Sequence, residues 1–527
     1  MLNLQLPSLD WALKHLETFG DTDVLPIPFE YQAIRHDWST IKNHLSQQDV
    51  LSWSVRSSRT MLAPKARHGF RVITQIDPLD LLVFTALIRE ICKDVEKSRI
   101  PKSSNVIFSY RVRPQRDGQL FDPKTGYRAF RDHSRQILRR YNEVSHIVLT
   151  DISDFYSRIY HHRLENALQS STKKSNHVKA IMHILSGWNV SESFGIPIGN
   201  TASRLLAELT ISDIDSALLA ADIRFVRFND DYRIFCQSYT EAYKRLSFLA
   251  DYLRTNHGLT LQAQKTRILK RDEFERLLSI TPATHELRSM SEKFDELIES
   301  IGLNDPYGEI DYEGLDEANR EIVDSMNLRS LLDEQIDSNK EIDIPLTRFL
   351  LRRLAQIGDS SAIDSLLENL NICHPVFPDI IKYIGHFSSC GKRFRVSTGK
   401  KLLSVYDDSI VGELEYHKLW CLHLFSVSKS WHQRDRLFQL YAGSRDTLSR
   451  RELILAMGQA KHRHWFQSQW RDLANFSPWP RRAVLAGASC MPRDARNHWY
   501  RSLSSQLDVL EDAVVKWVRK YPFGGSR

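Results

Sequence analysis

The sequence predicts an α+β fold, in which an antiparallel sheet packed with helices is followed by a second part that is α-helical. Two observations predict this division. Before about residue 285, strand-like runs such as "HIVLTDI" (146–152) are mixed with helical patterns. From about Ile344 onward, short amphipathic helices with Ser, Pro and Asp at their starts follow one another.

The strands of the first part are short and lie close to acidic residues. "HIVLTDI" is typical of a buried strand, and "IRFVRF" (223–228) and "DYRIFC" (231–236) predict a hairpin that turns at Asn229 and Asp230. The stretch "YSRIYHHRLENAL" carries apolar residues at helical spacing, so we expect a helix there. The members of this apolar set are Tyr156, Ile159, Tyr160, Leu164 and Leu168.

An acidic segment separates the two parts. From Glu292 to Asp343 there are 17 acidic and four basic residues, a local charge of −13 within a chain of net charge +7. The remainder therefore carries +20, which favours a polyanionic partner, although an ordinary solvated surface can have the same charge. We predict three regions: 1–285, an acidic connecting segment 286–345, and 346–527.

The third region is predicted to be a HEAT-like helical-repeat domain, with an irregular helical domain as the alternative, because no fixed repeat length is visible. Pro480 and Pro492 stand where a first helical turn tolerates proline. Five tryptophans occur between residues 461 and 520, and we expect most of them to pack between helices. They are Trp465, Trp470, Trp479, Trp499 and Trp517.

Cysteine spacing and hydropathy indicate a cytoplasmic protein. The six cysteines are too far apart for a CxxC metal site or a dense disulfide framework. The N-terminus lacks a basic start followed by an apolar block, and no segment reaches the roughly 18 apolar residues that cross a bilayer. We therefore expect no membrane association.

Three aspartates are the candidate catalytic residues. Asp151 ends one predicted strand, and Asp230 and Asp231 lie in the turn of the hairpin. Carboxylates at adjacent strand ends can hold two Mg²⁺ ions about 4 Å apart, with Mn²⁺ as a substitute. Taken singly, Asp151 also fits a helix N-cap, and "NDD" also fits an ordinary turn.

The order of the motifs resembles the reverse transcriptases. "IVLTDISDFYSRI", "GIPIGNTASRLLAEL" (195–209), "FNDD" (228–231) and "GLTLQAQKTRI" (258–268) resemble successive palm motifs, and "APKARHGFRVITQIDPLDLLVFTAL" (63–87) resembles the fingers segment. The resemblance covers residues 50–275. In "DISDFY", "GIPIG" and the long helical C-terminus, the chain is most similar to bacterial abortive-infection (Abi) and related defence-associated reverse transcriptases.

The resemblance implies a fingers and palm fold and a set of site residues. It implies that Asp151, Asp230 and Asp231 bind the catalytic metals, with the Ile152 carbonyl as a further ligand. Tyr156 falls at the aromatic residue that lies beneath the sugar and selects deoxynucleotides.

The implied nucleotide contacts are basic residues and glycines. Lys65 and Arg71 match the fingers positions that grip a triphosphate, and Lys265 matches the palm lysine near the pyrophosphate. Gly195 and Gly199 would let the backbone approach the nucleotide or primer. Surface solvation is the alternative for the three cations.

The chain also departs from the family pattern. Ile198 replaces the usual Gln of "PQG", Ser203 and Arg204 stand where "SP" is usual, and "FNDD" replaces "YADD". In the Abi group this pattern accompanies DNA synthesis that needs no template and is primed by a protein side chain. Tyrosine is the natural primer because its phenol reaches far and ionises readily. The candidates are Tyr31, Tyr110, Tyr232 and Tyr500.

These patterns favour a Mg²⁺-dependent, template-independent and protein-primed DNA polymerase in anti-phage defence. Its partners would be dNTPs and a single-stranded DNA product attached to the protein, and we expect a homo-oligomer. The alternatives are a conventional RNA-templated reverse transcriptase, a non-catalytic helical-repeat binding protein and, last, a metal-dependent nuclease.

Overall fold

The computed structural model describes residues 1–22, 24–189, 192–279, 314–337 and 342–523. Across these ranges, no helix combines the length and the apolar character needed to cross a bilayer. Residues 286–313 and 338–341 of the predicted acidic connecting segment lie outside the described residues. Its described remainder is largely helical.

The chain divides into two compact units. The first contains Met1–Thr60 and Ile73–Ile280, and the second contains Met61–Val72 and Thr281–Arg527. Residues 61–72 therefore group with the helical unit, whereas the sequence places them in the 1–285 domain. One contact of this group with the helices joins the ring Nε2 of His374 to the carbonyl oxygen of Arg67, 3.1 Å apart.

The first unit contains twelve described α-helices. They are α1 (Leu6–Phe19), α2 (Glu30–His36), α3 (Trp38–Gln47), α4 (Pro78–Ser98), α5 (Tyr127–Arg140), α6 (Phe155–Arg158), α7 (His161–Ser171), α8 (Ser175–Trp188), α9 (Thr201–Thr210), α10 (Ser212–Ala220), α11 (Tyr239–Tyr252) and α12 (Arg271–Ser279). The single helix predicted after Asp151 is wrong, since α6 ends at Arg158 and α7 begins at His161. Between them Tyr160 is extended and pairs with Phe194, and this interrupts the helix.

Six strands are described, in two sheets. They are β1 (Arg59–Ala66), β2 (Gly69–Gln75), β3 (His146–Asp151), β4 (Phe225–Phe228), β5 (Asp231–Cys236) and β6 (Arg267–Lys270). β1 and β2 form a two-stranded sheet. The four-stranded sheet has the order β4-β5-β3-β6, and its three pairs are antiparallel. The predicted strand at 146–152 and the predicted hairpin are confirmed.

Strands β3, β4 and β5 of the four-stranded sheet are largely buried on both faces, whereas no residue of the edge strand β6 is buried. Ile147 and Phe235 pack into a core with Phe130 of α5 and Phe274 of α12. Residues of the opposite parity, such as Tyr232, are also fully buried, and α11 packs against β3 and β5. A sheet covered in this way leaves the ends of its strands as the places where polar side chains can meet.

A buried ion-pair network joins the hairpin to α9 and α10. The guanidinium of Arg227, on β4, donates to both carboxylate oxygens of Asp215 at 2.8 and 2.6 Å and to those of Glu208 at 3.1 Å. Arg99 also donates to Glu208. These four side chains are fully buried, so each charge depends on its partners for compensation.

The described part of the second unit from residue 314 onward consists of helices and contains no strand. The helices are α13 (Glu317–Ser325), α14 (Leu328–Asp337), α15 (Ile344–Gln356), α16 (Ile363–Glu368), α17 (Leu370–Cys373), α18 (Phe377–His386), α19 (Lys392–Asp408), α20 (Glu415–Val427), α21 (Arg434–Gly443), α22 (Thr447–Gln459), α23 (Arg463–Ser468), α24 (Pro478–Gly487), α25 (Arg493–Leu503) and α26 (Val509–Lys520). Trp479, Trp499 and Trp517 are buried between them, as expected.

A continuous row of helices runs through this unit. α15 packs on α18, α18 on α20, α20 on α22, α22 on α24, and α24 on α26. α13 and α14 precede this row in sequence, and the remaining helices lie between its members. Successive stacking of this kind, in which each helix of the row contacts the next, is typical of helical-repeat proteins. Gly458 and Gly487 permit one of the closest approaches, because a Cβ at Gly458 would lie 2.6 Å from Gly487 Cα.

Candidate active site

The register of the sheet brings the three predicted aspartates to one end of β3 and β5. Asp151, the last residue of β3, is the direct cross-strand partner of Asp231, the first residue of β5. Directly paired residues point to the same face of a sheet. The backbone N–H of Ile152 donates to the carbonyl oxygen of Asp230 at 3.1 Å, so the turn is fixed against the end of β3.

Each of two carboxylates already has a close polar partner. Lys265 Nζ lies 2.8 Å from Asp151 Oδ2, and Asn229 Nδ2 donates to Asp230 Oδ1 at 2.9 Å. Within the described ranges, no group of three or more His, Cys, Asp or Glu side chains has an arrangement that could hold a metal ion. The backbones of the three aspartates are adjacent, and the carboxylates of Asp151 and Asp230 are hydrogen-bonded to Lys265 and Asn229.

Burial and mutual repulsion make ionisation of the aspartates at this end of the sheet unfavourable. Burial and the charge of Asp151 raise the pKa of Asp230 to about 6. The pKa of Asp231 is also raised to about 6 by burial and by Asp151 and Asp230, against the opposing effect of Arg233. Carboxylate oxygens are among the ligands that Mg²⁺ prefers. The three aspartates are therefore of the right residue type for a divalent cation.

Lys265 is held near this charge by the backbone of β3. The N–H of Gln262 donates to the carbonyl oxygen of Asp151 at 2.7 Å, and the turn Ala263–Lys265 follows directly. Burial alone would lower the pKa of Lys265, but the hydrogen bond and charge of Asp151, with the two other aspartates, raise it. Lys265 therefore carries a positive charge next to the carboxylates.

Tyr156 contacts the same turn from α6. Its hydroxyl donates to Asn229 Oδ1 at 3.2 Å, and burial raises its pKa well above the usual value. The carbonyl oxygen of Tyr156 accepts from the N–H of Ile196 at 2.9 Å, which joins α6 to the "GIPIG" loop. Gly195 and Gly199 have φ values of 89° and 103°, a region that favours glycine.

Lys65 and Arg71 are placed in the second compact unit, whereas the aspartates belong to the first. Lys65 is an exposed residue of β1. Arg71, on β2, acts electrostatically on Tyr416, whose pKa is raised to about 12 by burial and lowered in part by Arg71. Their predicted contact with a triphosphate stays a prediction.

The four candidate priming tyrosines differ in accessibility. Tyr31, Tyr232 and Tyr500 are buried, and burial raises the pKa of each. Tyr110 is only partly buried, and its ring centroid lies 6.2 Å from that of Phe228, the residue before Asn229. Tyr110 is therefore the partly exposed candidate near the Asn229–Asp230 turn, whereas Tyr232, which directly follows Asp231, is fully buried.

Sequence reasoning missed the residues that support the turn. Ser109 Oγ accepts from the N–H of Asn229 at 2.8 Å, and Arg227 donates to the Asn229 carbonyl oxygen at 2.8 Å. The available signal was an arginine inside the buried run "RFVRF" and a glutamate inside the apolar helix "RLLAEL". Buried opposite charges of this kind need each other, and Arg227 and Glu208 do pair.

Comparison with known proteins agrees with the motif analysis. Residues 80–281 match the model of the family described as reverse transcriptase (RNA-dependent DNA polymerase). No curated protein is similar enough in sequence to match.

Several solved telomerase structures resemble the chain weakly. Apo telomerase of Candida tropicalis truncated from its C-terminal domain is 12% identical over 41% of this chain and 50% of its own, with a TM-score of 0.30. Telomerase of Candida albicans in complex with a telomeric RNA fragment is 12% identical over 73% of this chain and 69% of its own, with a TM-score of 0.32. The chain thus spans only half the length of the first structure. With TM-scores of 0.30 and 0.32, these structures do not bear on the function of the chain. The match over residues 80–281, less than half of the chain, identifies that part as similar to a reverse-transcriptase domain.

Proposed function

We propose that this protein is a Mg²⁺-dependent DNA polymerase that adds deoxynucleotides to a protein hydroxyl without a template, and that it acts in abortive infection against phage. The observation that carries the polymerase part is the cross-strand pairing of Asp151 with Asp231, with Asp230 in the adjoining turn. Protein priming, template independence and the defence role rest on the motif pattern of the Abi group.

The three aspartates would hold the metal, with the Ile152 carbonyl as a further oxygen ligand. Bound there, Mg²⁺ would activate the attacking hydroxyl and neutralise charge on the phosphate oxygens. The raised pKa values of Asp230 and Asp231 support this role, because burial and then repulsion between carboxylates raise them, and a divalent cation would relieve the repulsion. Mn²⁺ would serve as a substitute.

Other residues of the chain would bind and orient the nucleotide. The charged ammonium of Lys265 lies beside Asp151, where it could stabilise the departing pyrophosphate. The ring of Tyr156 would lie beneath the sugar. Lys65 and Arg71 would neutralise the triphosphate, and the glycine at position 199 would let backbone approach it.

Two features support priming by a protein side chain. Ile198 stands where template-copying relatives carry a glutamine, so a polar contact near the template base is missing. Among the four candidate tyrosines, Tyr110 is partly exposed near the catalytic turn, whereas burial argues against the other three. Tyr110 is therefore our preferred primer, and a single-stranded DNA attached to it would be the product.

Incubation of the purified protein with labelled dNTPs and Mg²⁺ alone, followed by denaturing electrophoresis, tests the proposal. We expect label that migrates with the polypeptide and is lost in Asp230→Ala. Asp251→Ala is the matched control, because that aspartate lies on α11 with 70% of its side chain exposed. Labelling that persists in Asp230→Ala, or no incorporation of any nucleotide, would contradict the proposal. Tyr110→Phe separates this primer from others.

A conventional RNA-templated reverse transcriptase is the second candidate, and the RNA-dependent activity in the description of the matching family favours it. Adding an RNA template and a DNA primer distinguishes the two. Synthesis that requires both, and leaves the polypeptide unlabelled, would replace the first proposal by this one.

A further inference from the structure

Asn229 uses both of its backbone polar groups and both ends of its side chain at the catalytic turn. Its N–H donates to Ser109 Oγ at 2.8 Å, and its carbonyl oxygen accepts from Arg227 Nη1 at 2.8 Å. Its side-chain Nδ2 donates to Asp230 Oδ1 at 2.9 Å, and its Oδ1 accepts from the Tyr156 hydroxyl at 3.2 Å. A residue that only formed the turn would need none of the side-chain contacts.

The orientation of the carboxamide follows from its neighbours. An ionised carboxylate can only accept hydrogen bonds, so the NH₂ end must face Asp230. The oxygen is then left for Tyr156, whose hydroxyl can donate. The backbone of Asn229 is left-handed, with φ of 56°, a conformation that asparagine adopts more readily than most residues.

The backbone anchors of Asn229 are themselves buried. Ser109 donates to Glu208, and Glu208 also accepts from Arg227 and Arg99. Ser109 and these charged groups are fully buried, so the anchors have little freedom to move. The backbone of the turn is therefore anchored by Ser109 and Arg227. The carboxamide of Asn229 is held between Asp230 and Tyr156.

We propose that the side chain of Asn229 is a positioning residue that holds the carboxylate of Asp230 and the hydroxyl of Tyr156 in one arrangement, and so couples metal binding to sugar selection. This rests on the proposed function, which gives Asp230 a metal and Tyr156 a sugar. One substitution at Asn229 then changes both properties together, whereas loss of the Tyr156 hydroxyl changes only the second.

Three variants separate the coupling from a loss of folding. Asn229→Gly removes both side-chain contacts but tolerates the left-handed backbone. Tyr156→Phe keeps the ring and removes only the hydroxyl. The double variant tests whether the two side chains act through each other. Thermal unfolding of each variant shows whether the fold is kept.

Two binding measurements without turnover report the two properties. Mn²⁺ affinity is measured by electron paramagnetic resonance of the free ion. The preference for a deoxy- over a ribonucleoside triphosphate is measured by equilibrium dialysis with Ca²⁺ in place of Mg²⁺. In Asn229→Gly we expect both to fall about tenfold, the size typical of groups that orient a metal ligand.

The other variants have distinct expected results. Tyr156→Phe should lower the sugar preference and leave the Mn²⁺ affinity within twofold of the parent. The double variant should lose no more sugar preference than Asn229→Gly alone. An Asn229→Gly protein with an unchanged unfolding temperature, Mn²⁺ affinity and sugar preference would overturn the proposal.

The two measurements also separate this proposal from the proposed function. If the parent binds Mn²⁺ but no triphosphate, the proposed function fails, while a tenfold loss of Mn²⁺ affinity in Asn229→Gly still supports the hold on Asp230. A parent that binds no Mn²⁺ overturns both.

Discussion

Burial, and after it repulsion by neighbouring carboxylates, makes ionisation of Asp230 and Asp231 unfavourable in the metal-free protein. Their pKa values are raised to about 6 from an ordinary value of 3.8, because burial and neighbouring negative charges disfavour ionisation. The folded state then holds protons that the unfolded state has released between about pH 4 and 6. Stability therefore falls as pH rises through that window, and the loss is complete above it.

Asp230→Asn should consequently stabilise the metal-free protein at pH 8 by roughly 1–2 kcal/mol, and by almost nothing near pH 4. Thermal unfolding in the presence of a chelator measures this as a rise of a few degrees at pH 8. Asp251→Asn, on the exposed face of α11, is the control and should leave the curve unchanged.

The stabilisation of the protein by added Mg²⁺ is a second test of the negative charge on Asp230. Mg²⁺ should raise the unfolding temperature of the parent at pH 8 and that of Asp230→Asn by less, because binding to the folded state stabilises it. Equal stability of Asp230→Asn and the parent at pH 8 without metal would contradict the account of repulsion.

The sequence could place Asp151, Asp230 and Asp231 at strand ends because this pattern is local in the chain. Asp151 follows an apolar run, and Asp230 and Asp231 lie at the turn between two predicted strands. The motifs could therefore be recognised without the pairing of the strands. Arg227, Glu208 and Ser109 could not be recognised as partners, because they are far apart in sequence and meet only through the packing of α9 against the sheet. Asn229 was identified as a turn residue, but its contacts with Asp230 and Tyr156 depend on where α6 lies.

At the scale of secondary-structure elements, the hairpin β4–β5 depends on the ion-pair network behind it. Arg227 is fully buried and compensates Asp215 and Glu208, both fully buried as well. Removing one member leaves charges in the interior without their partner, which costs far more than the pair itself contributes.

Arg227→Met should therefore destabilise the first unit by about 3–5 kcal/mol. Chemical denaturation followed by circular dichroism measures the loss. Arg224→Met, three residues earlier with 35% of its arginine side chain exposed, should cost less than about 1 kcal/mol. Partial recovery of stability in the triple variant Arg227→Met, Glu208→Gln, Asp215→Asn would support the argument from buried charge. Equal losses of stability in Arg227→Met and Arg224→Met would contradict it.

The helix row of the second unit makes a steric prediction at α22 and α24. A Cβ at Gly458 would lie 2.6 Å from Gly487 Cα, a backbone atom that cannot move aside cheaply. Gly458→Ala should destabilise this unit by about 1–3 kcal/mol through overpacking. Gly443→Ala is the matched control at the end of α21, because nothing lies within 4 Å of its added Cβ. Alanine there should be neutral or slightly stabilising in thermal unfolding, since it favours the helix.

At the scale of the whole molecule, the sequence predicted the helical character of the second part but not its full membership. The composition change and the acidic segment predict a boundary near residue 285. Residues 61–72, part of the β1–β2 hairpin, were assigned to the first region by their position in the chain and by the fingers resemblance of residues 63–87. Their grouping depends on non-local contacts, including the one between His374 and Arg67, which no local pattern encodes.

This grouping predicts which unit controls the hairpin. Leu422 of α20 is fully buried in the second unit, and Leu249 of α11 is fully buried in the first, so alanine at either position should destabilise its own unit by about 2–5 kcal/mol. Hydrogen exchange reports local opening segment by segment. We expect Leu422→Ala to speed exchange at 61–72 together with α18, α20 and α22, and to leave β3 and β5 protected. Leu249→Ala should do the reverse, because residues 61–72 group with the helices, and Arg67 contacts His374 there. If exchange at 61–72 instead followed β3 and β5 in both variants, the hairpin would belong energetically to the sheet unit, and its assignment to the helical unit would be wrong.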